Sequence, residues 1–292
     1  MNSLRSKIIP VLTLLAGLVM LWYCFAVYMN APFQRELDAR AGETPGTVEF
    51  IGKVLSQPKP TVPAPHQVAN NFFENTFLRK VTSNRSLVYH AWVTLSSTLL
   101  GFAFGTLLGI VIAVGIVHVT TLDRSLMPWI IASQTIPILA LAPMIIVVLA
   151  AIGVTGLLPK ALISTYLSFF PVAVGMVKGL RSPERMHLDL MRTYNASKAQ
   201  TFWKLRVPAS IPFLFTSMQV AVAASLVGAI VGELPTGAVA GIGAKLLAGS
   251  YYSQTIDMWA ALVAGSVVAA LLVTIVGATG KLVQRRMGGR PA

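Results

Sequence analysis

Six stretches of the chain, residues 8–29, 86–122, 125–159, 161–177, 207–232 and 258–280, contain no Asp, Glu, Lys or Arg. Each reaches or exceeds the roughly 17–25 residues that a helix needs to cross the hydrocarbon core of a bilayer. Over all 292 residues, 55% are hydrophobic and only 11% charged, with a mean hydropathy of +0.70. A soluble domain carries about 25% charged residues, so the composition argues against a water-soluble globular enzyme. The third and fourth runs are divided by Gly153-Val-Thr-Gly156 and Pro159, a turn signal in which Lys160 is the only charge. The expected fold class is therefore an all-α polytopic membrane protein with six transmembrane helices and both termini on one side.

The net charge of +13 suggests nucleic acid in a soluble protein, but here its distribution decides otherwise. With the N-terminus inside, the inner pieces hold Arg5, Lys7, Arg124, Lys178, Arg181, Arg185, Arg192, Lys198, Lys204, Arg206, Lys281, Arg285, Arg286 and Arg290. Against these stand only Asp123, Glu184 and Asp189, while the outer pieces are nearly balanced. That asymmetry has the sign the positive-inside rule requires. The basic excess sets topology and is no nucleic-acid footprint, and the partner it implies is membrane lipid.

The first run follows Arg5 and Lys7 as a signal peptide would, but it is longer than the usual ~7–15-residue signal core and no small-x-small site follows it. It reads as an uncleaved anchor, residues 1–29. The only cysteine, Cys24, lies within it, so no internal disulfide can form. Residues 30–85 form an outer, periplasmic segment, extended where Pro58 to Pro65 restrict the backbone. Beyond the prolines, Val68, Phe72, Phe73 and Phe77 share one face of a short helix, either resting at the membrane surface or packed on the protein's outer end. Residues 86–283 form the transmembrane domain, and 284–292 a basic tail on the inner side.

Within that domain, Gly101, Gly105 and Gly109 place one small residue per turn on a single helix face, the means by which helices pack closely in lipid. The third span holds Pro128, Pro137 and Pro143, with Ser133-Gln134-Thr135 between them. Proline kinks a helix and frees carbonyls, and polar groups at such a kink line a water-filled path or bond a neighbouring helix. Gln134, Thr135 and Pro137 are the candidates for that path. Glu233 joins them as an ionisable group at the outer end of the fifth span, either a structural or gating element near Lys160 or Lys245, or a substrate ligand.

The stretch 181–210 is polar and basic yet reads as ordered helix. Ser182-Pro183 is a start signal, and Met186, Leu190, Met191 and Tyr194 recur at helical spacing. Asn195 suits a left-handed C-cap, and Ser197-Lys-Ala-Gln200 is a capping box opening a second short helix with Phe202, Trp203 and Leu205. Pro208 and Pro212 are expected to stop that helix and start the fifth span. A capped helix-turn-helix with apolar and basic side chains fits a docking element, the alternative being an amphipathic helix among headgroups.

The run from Asp189 through Arg192, Asn195, Ala196, Ser197, Gln200, Phe202, Lys204 and Pro208 to Pro212 resembles the EAA loop of the membrane subunits of binding-protein-dependent ABC importers. Gln134-Thr-Ile-Pro137, Phe169-Phe-Pro171, Gly232-Glu233 and Gly241-Ile-Gly243 fit the same family, nearest its nitrate/sulfonate/taurine branch, from about residue 60 to the C-terminus. The family's paired alanines are here Leu190 and Met191, and its glycine is Asn195. The resemblance implies the type I importer permease fold, with 181–210 as the coupling element seated in a cleft of a separate ATP-hydrolysing subunit. It also implies a second copy of this chain, two such ATPase subunits, and a periplasmic or lipid-anchored substrate-binding protein. ATP and Mg²⁺ would be bound by the ATPase, leaving this chain without a cofactor. Related importers carry sulfonates, taurine, nitrate or cyanate, or heteroaromatic vitamin precursors such as thiamine pyrimidines and riboflavin.

The residues themselves offer no chemistry. There is no Gly-x-x-x-x-Gly-Lys-Ser/Thr phosphate loop, and His66, His90, His118 and His187 lack metal-ligand spacing. The expectation is a transport subunit, with no catalytic residues and no metal. The rival reading, an ATP-independent secondary transporter or channel, lacks its usual marks of repeated halves and mid-membrane charges.

Overall fold

The computed structural model describes residues 2–235, 238 and 240–288, with side chains from residue 8 onward, so the side chains of Arg5 and Lys7 and tail residues 289–292, Arg290 among them, lie outside the described residues. Twelve α-helices and no strand occur among the described residues. Those long and apolar enough to cross a membrane are Ile8–Ala41 of α1 (Asn2–Ala41), α4 (Leu87–His118), α7 (Leu157–Leu180), the continuous run Lys198–Glu233, and α12 (Thr255–Arg286). Between α4 and α7 lie α5 (Thr120–Ser133) and α6 (Ile138–Ala151), bent by 99° across a four-residue break. The third span is thus two half-helices where the sequence suggested one kinked helix. Pro137 supplies the reason: it sits at the N-cap of α6 with extended backbone, and it has no N–H to continue the ladder of α5.

The chain divides into two compact units, Met1–Tyr89 with Lys245–Ala264, and His90–Ala244 with Gly265–Ala292. In the first, α1 does not end with the apolar run but continues a dozen residues further, steadied by an Arg40–Glu36 pair one turn apart. Its 34 residues from Ile8 span about 50 Å, well beyond the roughly 30 Å hydrocarbon core. The extension folds against α2 (Thr47–Leu55) and the proline-rich stretch. Buried Asn30 donates to Val62 O at 2.7 Å and accepts from the N–H groups of Thr61 and Val62, so one amide clamps the extended chain. Gln57 donates to Gln34, which donates to Asp38, each at 2.9 Å. Helix α3 (Pro65–Phe73) buries Val68 and leaves Phe73 exposed, as is Phe77 in the π-turn Glu74–Leu78 that follows, and Asn71 of α3 donates to Asp257 at 2.8 Å. The N-terminal turns of α12 are held as well by Thr255 donating to Pro60 O and by Trp22 packed against Trp259, the rings tilted by 34° with centroids 5.1 Å apart.

In the second unit, α7 is the centre. A Cβ on Gly101, Gly105 or Gly109 of α4 would meet Ser164 at 2.3 Å, Ser168 at 2.0 Å or Phe169 O at 2.8 Å, so the glycine stripe receives α7 of the same chain. Both sets of numbers rise together, so α4 and α7 run parallel. On its other side α7 meets α10 (Val207–Glu233) through Gly175 and Gly179 against Ser217 and Ser210, and through Gly228 and Gly232 against Ser164 and Lys160. Here the numbers run oppositely and the helices are antiparallel, as are α10 and α12 at Gln219–Gly277 and Phe215–Gly280. Two parallel helices joined in sequence require a return crossing between them. The bent pair α5–α6 supplies it, which makes it a broken span and no re-entrant loop.

Candidate functional site

At the end of this unit where α4 and α7 finish and α10 begins, α8 (Arg185–Thr193) and α9 (Lys198–Thr201) form the helix-turn-helix. Helix α8 starts at Arg185 with Glu184 as N-cap, two residues later than the Ser182-Pro183 signal implied. Ser182 is otherwise engaged, its hydroxyl donating back to Gly179 O at 2.7 Å to finish α7. The turn itself follows the sequence reading closely. Asn195 has φ 49°, Asn195 N–H donates to Arg192 O at 2.8 Å, and Ala196 N–H donates to Met191 O at 2.9 Å, a Schellman arrangement. Ser197 Oγ accepts from Gln200 N–H at 3.2 Å while Ser197 N–H donates to Gln200 Oε1 at 2.9 Å, completing a capping box.

Pro208 and Pro212 do not stop the second helix. Helix α9 passes through a π-turn, Phe202–Arg206, directly into α10, and 36 residues from Lys198 to Glu233 form one rod. Val207 N–H reaches back five residues to Phe202 O, and Pro208, which has no N–H to place, sits in the first turn of α10, so the ladder passes the imide without a clash. The element is therefore continuous in backbone with a membrane-crossing helix.

Its inner face is anchored. Phe202 and Val207 pack on a core of Ala113, Ile116, Ile130, Met176, Val177 and Leu180, drawn from α4, α5 and α7. His118, the last residue of α4, meets Phe202 edge-on with ring centroids 4.8 Å apart. Arg181 at the end of α7 pairs with Asp123 in the first turn of α5 at 2.8 Å. The outer face is bare. Met186, Leu190 and Tyr194, four residues apart, form an apolar stripe that is 70%, 53% and 76% exposed. Arg192 pairs only loosely with Asp189, at 3.2 Å, and Lys204 is exposed.

Gln134, Thr135 and Pro137 come together at the α5–α6 break and are exposed. The Tyr166 hydroxyl of α7 donates to Ser133 O, holding the frayed carbonyl end of α5, and Thr135 Oγ1 donates to Ala132 O at 2.7 Å. Glu233 is not with them. It is fully buried at the far end of α10, where it accepts from Gly243 N–H at 2.7 Å and from Thr94 Oγ1 at 2.8 Å. Thr94 Oγ1 in turn accepts from Ile242 N–H at 2.8 Å, and His90 Nδ1 accepts from Gly241 N–H at 3.0 Å. Lys160 is buried on the facing turn of α7, its Cα 3.2 Å from where a Cβ on Gly232 would stand. Sequence reasoning singled out Glu233 and the Gly241-Ile-Gly243 motif but missed Thr94 and His90 of α4, and it missed His118 beneath the coupling turn. Nothing local in α4 marks these residues.

The sequence pattern of binding-protein-dependent transport system inner membrane components matches residues 105–289. The chain belongs to this family. It is 31% identical over 186 residues to the formylaminopyrimidine transport permease ThiX of Halalkalibacterium halodurans, covering 63% of this chain and 69% of that one. It is 30% identical over 185 residues to the riboflavin transport system permease RibX of Chloroflexus aurantiacus, covering 63% and 65%. To the nitrate import permease NrtB of Synechocystis it is 24% identical over 186 residues, covering 62% and 66%. As a family member the chain is the multi-pass membrane subunit of an ABC importer of the type I, nitrate/sulfonate-like kind. It is not itself an enzyme, and it works with an ATPase and a substrate-binding protein, which sets aside the ATP-independent transporter or channel. The matched region begins within α4, so α1, α2 and α3 lie outside it.

Proposed function

We propose that two copies of this permease subunit enclose the translocation path, and that each seats α8 and α9 in a cleft of one of two ATPase subunits at the cytoplasmic face, with both termini on that side. ATP and Mg²⁺ are then held by the ATPase, and this chain carries no cofactor. The observation that carries the reading is the one-piece rod from Lys198 to Glu233, whose capped, bare end is built for docking while its root packs on α4, α5 and α7. Closure of the ATPase pair on ATP draws the coupling elements together. The rod and the core around Phe202 pass that motion to the half-helices α5 and α6 as rigid-body tilting. Asp189, Arg192, Asn195, Ala196, Ser197, Gln200, Phe202, Lys204 and Pro208 form the coupling surface and its frame. Gln134, Thr135 and Pro137 edge the path, and Glu233 governs its far end by fixing α10 to α4.

The solute is a small heteroaromatic compound of the aminopyrimidine or riboflavin kind, delivered by a periplasmic or lipid-anchored binding protein. Two observations support that class over nitrate or sulfonate: the relatives near 30% identity carry pyrimidine and riboflavin names, and the apolar runs contain no arginine to pair with a strong anion. The deciding experiment deletes Thr193–Gln200 in the reconstituted complex. Hydrolysis of ATP stimulated by the loaded binding protein should vanish while the complex's basal rate persists, and retained stimulation would refute the docking role.

A further inference from the structure

Behind the coupling turn lies a cavity of about 400 Å³ whose lining has a distinct chemical character. Its walls include His118, Arg192, Lys198 and Arg206, and its apolar side is made by Val117 and Phe202. One of these cations, Arg192, has Asp189 at 3.2 Å. Lys198 and Arg206 have no carboxylate within ion-pair distance among the described residues. Their height in the fold is fixed by the chain: Val117 and His118 end the 32-residue crossing helix α4, and Arg206 immediately precedes the apolar α10. Trp203, the neighbour of Phe202 in the π-turn, is 68% exposed with its ring 5.2 Å from that of Phe202, the placement of an interfacial anchor.

We infer that this cavity binds the headgroup of an anionic phospholipid, with the phosphate held by Lys198, Arg206 and Arg192 and the first methylenes of the lipid lying on Val117 and Phe202. Three features select that ligand. The lining joins positive charge to apolar surface, the pairing that a lipid headgroup and its glycerol root require. It lies where the charge-free stretches of α4, α7 and α10 end, with Asp123, Lys178 and Arg206 flanking them, which in the proposed membrane placement is the level of the leaflet's phosphates. The volume suits a small polar ligand, within the roughly 300–1,000 Å³ range of small-molecule sites. A lipid seated there fills the space between the end of α4 and the root of the coupling element, so the leaflet bears on the joint that transmits the ATPase stroke. The inference rests on the proposed cytoplasmic location only for which leaflet supplies the lipid.

The test uses the purified full-length permease, alone and in its complex with the ATPase, in nanodiscs of dioleoylphosphatidylcholine containing dioleoylphosphatidylglycerol. Bound lipid is read by native mass spectrometry after release. Wild type should retain phosphatidylglycerol in preference to phosphatidylcholine. Lys198→Gln and Arg206→Gln should each lower that retention roughly fivefold, about what one cation beside an anionic surface contributes. Arg285→Gln, which removes an exposed cation from the far end of α12, should leave it unchanged. Equal retention in all variants, or no preference for phosphatidylglycerol, would overturn the site. Displacement by millimolar sn-glycerol 1-phosphate would assign the cavity to soluble phosphate esters, and loss of lipid on assembly with the ATPase would assign it to an acidic segment of that partner. Either result removes the lipid. None of these readouts uses ATP hydrolysis, so a failed coupling role and a failed lipid site are told apart.

Discussion

A Cβ placed on Gly241 would stand 2.3 Å from the carboxyl carbon of Glu233 and 2.4 Å from both of its oxygens. Gly241 also holds φ +131°, a conformation L side chains rarely adopt. The buried carboxylate and the bare backbone are therefore two halves of one latch, tying the end of α10 to the start of α11 (Ile242–Tyr251) and, through Thr94 and His90, to α4.

Gly241→Ala should accordingly destabilise the protein by about 2–4 kcal/mol, from overpacking plus a strained backbone. Glu233→Ala should cost about 1–3 kcal/mol by stranding the Gly243 N–H and the Thr94 hydroxyl. The double variant should cost less than the sum by at least about 1 kcal/mol, because the clash disappears with the carboxylate. Denaturation of the detergent-solubilised protein measures all three, and additivity within about 0.5 kcal/mol would show that the two residues do not interact.

How legible each feature is in the sequence depends on how far apart its partners stand. The Asn195 turn and the Ser197–Gln200 box are closed by residues within five positions of each other, and the sequence alone specified both. The six crossings were legible because hydrocarbon length and charge exclusion are properties of single segments. Glu233 stands out in the sequence as an ionisable group at a span's end, but its partner Thr94 is 139 positions away, and one threonine among the polar residues of α4 carries no local mark. The 99° break at Gln134–Pro137 was underestimated because a proline signals a weakened ladder without saying how far it opens. The extension of α1 past Met29 is hidden for a different reason: hydropathy reports where lipid ends, and a helix is free to continue into water on its own hydrogen bonds and the Arg40–Glu36 pair.

The stripe on α4 gives a second prediction. A methyl on Gly105 would lie 2.0 Å from Ser168 Oγ and 3.1 Å from the backbone nitrogen of Phe169. Ser168 can rotate only by surrendering its bond to Ser164 O at 2.8 Å, and the α7 backbone behind it cannot withdraw without disturbing α10. Gly105→Ala should cost about 1–3 kcal/mol. Gly17→Ala on α1, where nothing lies within 4 Å, should be neutral by the same thermal-denaturation assay.

Tyr166 offers a variant that should separate function from folding. Its hydroxyl serves only the Ser133 carbonyl at the end of α5, a group already freed by the break. Tyr166→Phe keeps the ring in place and should lower stability by about 1 kcal/mol at most. It leaves the half-helix junction free to fluctuate, so the ratio of solute transported to ATP hydrolysed in proteoliposomes should fall. An unchanged ratio would show that the junction takes no part in gating.

Asn195 provides the sharpest test of the coupling element. With φ 49° it occupies the left-handed region that asparagine tolerates and glycine prefers, whereas a β-branched side chain is forced out of it. Asn195→Gly should keep the Schellman turn and hold ATPase stimulation by the loaded binding protein within about twofold of wild type. Asn195→Val should break both the 2.8 Å bond to Arg192 O and the 2.9 Å bond from Ala196 to Met191 O, swinging α8 away from the rod that begins at Lys198. Because no residue of α8 or α9 is buried, the melting temperature should barely move while stimulation is lost. Equal stimulation in the valine and glycine variants would mean that the angle between α8 and α9 is irrelevant to how the ATPase stroke reaches α10.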